Sequence, residues 1–83
     1  MDKSKIIVIF HNHRTNEELD VEIPTNITAT ELIVGMNAAF HLEMKTDNPS
    51  VCSLKSENPI ALLRGNKLIQ EYGLHDGSVI HFT

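Results

Sequence analysis

The run Lys5-Ile-Ile-Val-Ile-Phe10 places five β-branched or aromatic residues in succession. Such a run reads as a strand covered on both faces, hence one in the middle of a sheet. A polar stretch from His11 to Glu18 follows. Leu19, Val21 and Ile23 then alternate with Asp20 and Glu22. That period of two predicts a half-buried strand with one wet face. The short connection makes the two segments a hairpin.

Pro24 ends the second strand. Thr28 has the character of a helix N-cap, and Glu31 three residues later completes a capping box. Ile27 before the cap and Leu32 at the fourth helical position have the spacing of a hydrophobic staple. Leu32, Ile33, Met36, Ala39 and Phe40 share one side at helical spacing, with Val34 on the opposite, wet side. Glu43 would rotate back onto the apolar side, so the helix is expected to stop near His41 or Leu42. Asp47-Asn48-Pro49-Ser50 is a turn cluster. Val51–Lys55 reads as a third strand, Ser56–Pro59 as a turn and Ile60–Leu63 as a fourth strand. Lys67–Leu74 is expected to be a helical turn or short extended piece anchored by Leu68, Ile69, Tyr72 and Leu74. Asp76-Gly77 signals a tight turn before a last strand, Val79–Phe82.

An early hairpin, one helix and three later strands predict an α+β fold. It is a mixed five-stranded sheet with the helix packed on one face, joined by right-handed crossover. Pairing the first strand with the last in the sheet's middle accounts for the apolar run Ile6–Phe10. That arrangement is the β-grasp, or ubiquitin-like, fold. The expected core is Ile6, Val8, Phe10, Leu19, Val21, Ile23, Leu32, Met36, Phe40, Leu68, Leu74, Ile80 and Phe82.

With 83 residues, the chain has room for one domain, taken as 1–83. Its apolar share of 41% excludes disorder along most of the chain. The net charge of −4 removes the electrostatic reason to bind a phosphate backbone, so no nucleic-acid partner is expected. The single cysteine, Cys52, excludes an internal disulfide and points to a reducing compartment. No apolar stretch is long enough for a membrane helix or a signal-peptide core, so a cytoplasmic protein with no membrane insertion is expected.

The segment Leu68-Ile-Gln-Glu-Tyr72-Gly-Leu74-His-Asp76-Gly77-Ser-Val79-Ile80-His-Phe82 resembles the end of ubiquitin-like domains. Asp20-Val-Glu-Ile-Pro24 running into the capped helix and Asn58-Pro-Ile-Ala-Leu-Leu63 extend the likeness. In order and size the chain resembles the EsaB/YukD family, small ubiquitin-like accessory proteins of Gram-positive type VII secretion systems. The resemblance covers roughly residues 5–83. It implies a non-enzymatic adaptor supporting export of small helical-hairpin substrates. The implied partners are membrane components of the machinery or a regulator of it. The alternative is a ubiquitin-like interaction domain of another assembly, such as a regulator or a toxin–immunity complex. Conjugation and sulfur transfer require a flexible Gly-Gly tail, whereas this sequence ends Ile80-His-Phe-Thr83; neither activity is expected.

Little else suggests chemistry. His11-x-His13 could turn two imidazoles to one side, but a zinc or copper site needs three or four ligands. His41, His75 and His81 are scattered along the chain, so solvated histidines and no metal site are expected. No motif surrounds Cys52 as in a thiol enzyme, and no glycine-rich phosphate loop occurs, so neither catalysis nor a cofactor is expected. The helix lacks the basic side of a membrane-surface helix. What remains is a protein-binding surface. If Ile6, Val8 and Phe10 face the helix, strand parity turns Ile7 and Ile9 outward on the first strand and Val79 and His81 outward on the last. Comparison with ubiquitin turns Leu62 outward on the fourth. Ile7, Ile9, Leu62, Val79 and His81 are therefore the candidate patch on the open side of the sheet. A homodimer through that face or an edge strand is left open.

Overall fold

The computed structural model describes residues 4–43 and 52–83. Strands β1 (Lys5–Asn12) and β2 (Glu17–Pro24) form an antiparallel hairpin, with Lys5 opposite Pro24 and Asn12 opposite Glu17. Helix α1 spans Ala29–Phe40. Strands β3 (Leu54–Glu57) and β4 (Ala61–Leu63) follow, then a 3-10 turn at Ile69–Tyr72 and strand β5 (Val79–Phe82). The sheet order is β2-β1-β5-β3-β4, with β5 parallel to β1 and antiparallel to β3. The first and last strands meet in the middle, which is the β-grasp arrangement.

The apolar run does make β1 central, but only one of its faces is covered. Val8 and Phe10 are 0% and 1% exposed, whereas Ile7 is 49% exposed. Leu32, Ile33 and Met36 of α1 complete the core with Ile23, Leu54, Leu63, Ile69, Ile80 and Phe82. The Phe40 ring stacks on Phe10 with centroids 5.1 Å apart, closing the C-terminal end of the helix over β1.

The start of α1 is held from two sides. Thr28 Oγ1 accepts the Glu31 N–H at 3.1 Å, and Glu31 Oε1 accepts the Thr28 N–H at 3.0 Å, forming the expected capping box. The Ala29 and Thr30 N–H groups donate to the carbonyls of Lys67 and Gly65 at 2.9 and 3.0 Å. The first turn thus gives its otherwise unpaired donors to the segment that leads into the 3-10 turn. At the other end His41 takes a left-handed conformation (φ 53°), and Leu42 turns back into the core.

Several expectations are corrected. Strand β3 begins at Leu54 instead of Val51 and includes Ser56, which had been assigned to the turn. Ser56 is buried and donates its hydroxyl to the Pro59 carbonyl at 2.8 Å, so a polar residue fills a core position without loss of a hydrogen bond. Val51 and the turn cluster at 47–50 lie outside the described residues. Leu19 is 42% exposed: it sits toward the hairpin end of the edge strand, and burial grows along β2 through Val21 to Ile23. Ala39 is exposed. Ile69 is fully buried where Leu68 had been expected, while Leu68 is only half-buried. Cys52 precedes β3 and belongs to the core cluster.

Thr28→Ala is expected to lower folding stability by about 1 kcal/mol, because it removes one cap from an otherwise bonded helix start. Urea unfolding followed by circular dichroism measures it.

Candidate binding face and histidine cluster

The outer side of the sheet is assembled from alternate residues of each strand. On β1 these are Ile7, Ile9 and His11, with His13 continuing the alternation just past the strand. On β5 they are Val79 and His81, on β3 Lys55 and Glu57, and on β4 Leu62. Register then sets the neighbours. Ile9 lies beside Val79 and Val79 beside Glu57. In the next outward row His11 lies beside His81, His81 beside Lys55, and Lys55 beside Leu62. The turn before β5 pins this register. The Ile9 N–H donates to the Ser78 carbonyl at 2.8 Å, the Gly77 N–H to the Ile7 carbonyl at 2.9 Å, and the Ile7 N–H to Asp76 Oδ1 at 2.8 Å. Gly77 has φ 90°, a conformation that favours glycine.

All five candidate residues lie on this side, but the structure does not join them into one patch. Ile7, Ile9 and Val79 form an apolar strip over β1 and β5. Leu62, 44% exposed, stands apart on β4, two strand spacings (about 10 Å) from β5 and three (about 14 Å) from β1. Lys55 and Glu57 of β3 intervene. Leu62 instead borders a shallow hollow with Ile60, which is 88% exposed. The margin of the apolar strip is acidic, because Asp20 and Glu22 of β2 are the register partners of Ile9 and Ile7.

The position of His81 is a further correction. It had been read as remote from the His11-x-His13 pair, yet parallel pairing with β1 brings it alongside. One ring nitrogen from each of His11, His13 and His81 lies within 4.8 Å of the others. The His11 and His13 rings stack with centroids 3.8 Å apart. His13 Nε2 and His81 Nδ1 are 2.8 Å apart, within hydrogen-bond distance. The other nitrogen of His81, Nε2, is hydrogen-bonded to Glu57 Oε1, and His11 Nδ1 lies 3.5 Å from Glu18 Oε1. Desolvation against the neighbouring rings, and then the charges of His11 and His81, hold His13 below the ordinary imidazole pKa. Parity alone would turn His11 and His81 to the same face; the register that makes them neighbours cannot be read from hydropathy. Glu57 had not been singled out, since it was assigned to a turn.

His41 and His75 take no part in this cluster. His41 caps α1, and His75 Nδ1 lies 2.9 Å from the Asp76 carbonyl oxygen. Cys52 lies in the core, whereas His11 and His81 lie on the outer face. Among the described residues, no helix is long and apolar enough to cross a membrane.

A family model described as "WXG100 protein secretion system (Wss), protein YukD" matches residues 6–82. The chain belongs to the YukD family. No curated protein is matched by sequence. Solved structures place the fold of this YukD-family chain among ubiquitin-like domains. The ubiquitin-like domain of Plasmodium falciparum Dsk2 is similar at 22% identity and TM-score 0.63, covering 93% of each chain. That of yeast Ddi1 is similar at 19% identity and TM-score 0.64, covering 96% of this chain and 91% of the other. The C-terminal ubiquitin-like domain of mouse tubulin-specific chaperone e reaches TM-score 0.69 at 10% identity, over 94% of this chain and 84% of the other. At such identities the likeness concerns the fold.

The outward and inward leucines of β4 separate surface from core. Leu63→Ala is expected to cost about 2–5 kcal/mol, and Leu62→Ala about 1 kcal/mol or less. Thermal and urea unfolding of the two variants side by side measures the difference.

Proposed function

We propose that this YukD-family chain is a cytoplasmic accessory protein of a type VII (WXG100) secretion system, acting as one ubiquitin-like domain. It works by binding protein, without catalysis and without conjugation to other proteins. The partner is a cytoplasmic part of the membrane machinery or a regulator of it. The family match over residues 6–82 supports the assignment to secretion. The observation that carries the binding mode is an apolar side chain the core does not use. Ile7 lies on the uncovered face of the central strand β1 and is half exposed, on the same side as Ile9 and Val79.

A hydrophobic residue at such a position gains only part of its burial energy from folding, and the remainder is available to a partner. The acidic margin supplied by Asp20 and Glu22 suits a partner surface that is apolar at its centre and basic at its edge. Leu62 and Ile60 offer a second, smaller contact across Lys55.

In-cell crosslinking followed by co-purification from membrane and soluble fractions tests this reading. The wild-type chain is expected to recover a component of the secretion machinery. The Ile7→Asp/Leu62→Asp variant, shown to be folded by circular dichroism, is expected to recover at least about tenfold less, as for loss of a central interface contact. Undiminished recovery with that variant contradicts the binding face. Recovery of an unrelated assembly contradicts the secretion role. A ladder of covalent adducts surviving denaturation without crosslinker contradicts the absence of conjugation.

A further inference from the structure

The three histidines on the outer face adjoin the apolar strip and lie outside the core. We propose that His11, His13 and His81 form a site for a divalent transition-metal ion, zinc first, with Glu57 as the outer partner of His81 and a fourth position open to water. This inference does not depend on which protein the apolar strip binds.

The ligand set follows from strand geometry. Residues two apart on one strand share a face, which brings His11 and His13 together. His81 is the register partner of His11 on the neighbouring parallel strand. A tetrahedral zinc ion with bonds of about 2.0–2.1 Å to imidazole nitrogen holds its ligand atoms roughly 3.3–3.4 Å apart. The three nitrogens lie within 4.8 Å of one another, and the closest resolved pair is 2.8 Å apart. The rings are exposed or half-buried, so rotation about their side-chain bonds is the movement by which they would close on an ion.

The surroundings match such a centre. A metal-bound histidine characteristically gives its second N–H to a carboxylate, which fixes the tautomer and makes the other nitrogen more basic. Glu57 stands in that position on His81: with Nε2–H donated to Glu57, Nδ1 carries the lone pair, and Nδ1 is the atom that faces His13. Glu18 stands beside Nδ1 of His11. The two carboxylates supply negative charge around a dication. Arg14, next to His13, is held elsewhere, with its guanidinium 4.7 Å from the Phe82 ring centroid and its Nε donating to the Thr83 carbonyl. Lys55, the register neighbour of His81 toward β4, is the cation facing the site across β3. Imidazole donors suit zinc, copper and nickel, and zinc, with a filled d shell, asks of them only a tetrahedral spacing.

The test is zinc binding to the untagged, chelator-stripped chain, measured by isothermal titration and native mass spectrometry with zinc sulfate. One ion per chain is expected, with micromolar or tighter affinity. His13→Ala and His81→Ala are each expected to weaken binding at least about tenfold, and Glu57→Gln by about ten- to a hundredfold. His41→Ala and His75→Ala should bind as the wild type does. His13 is exposed, so its variant keeps the test valid where His81→Ala proves unstable. X-ray absorption of the loaded protein should show three nitrogen ligands at about 2.0–2.1 Å. Binding no tighter than millimolar, equal binding by His13→Ala and the wild type, or one ion shared between two chains would overturn the proposal.

Discussion

The parallel pairing of β1 with β5 is the constraint on which the rest depends. It joins the two ends of the sequence in the middle of the sheet and fixes Ile9 beside Val79 and His11 beside His81. Backbone bonds hold it at both ends, from Ile9 N–H to the Ser78 carbonyl at 2.8 Å and from His13 N–H to the Phe82 carbonyl at 2.9 Å. A slip by one residue would turn Ile80 and Phe82 to solvent and drive Val79 and His81 into the core. Ile80 is fully buried and Phe82 nearly so, and the cost of exposing both rules that slip out. The packing of the inner face therefore dictates what the outer face presents.

What it presents is a divided surface. An apolar strip lies over the start of β1 and the turn into β5, with acidic residues of β2 along its margin. A cluster of three imidazoles and two carboxylates lies over the far end of the same strands. Leu62 and Ile60 lie beyond Lys55 on the opposite edge. One central pairing thus gives two chemically different places side by side, one suited to a protein surface and the other to a cation.

Much of this was legible in the residues. The capping box at Thr28 and Glu31, the helix stop at His41 and the last strand Val79–Phe82 are local patterns, and local geometry decides them. Alternation turned Ile7 outward and the likeness to ubiquitin turned Leu62 outward, and both side chains are exposed. The failures have a common cause. Ser56 is a core residue because its hydroxyl finds the Pro59 carbonyl, a partner that hydropathy does not reveal. Leu19 looks buried by alternation, yet it lies on an edge strand near the hairpin end, where burial has already fallen away. His81 joins His11 through a contact between residues 70 positions apart, which only the register of two distant strands creates.

Nuclear Overhauser contacts between side chains, measured on isotope-labelled protein, test the β1–β5 register most directly. The account predicts ring-to-ring contacts among His11, His13 and His81, with Val79 touching Ile9 and both remaining remote from Leu32 and Met36 of the helix. Contacts from Val79 or His81 to those helix residues, or an isolated His81 ring, would contradict it.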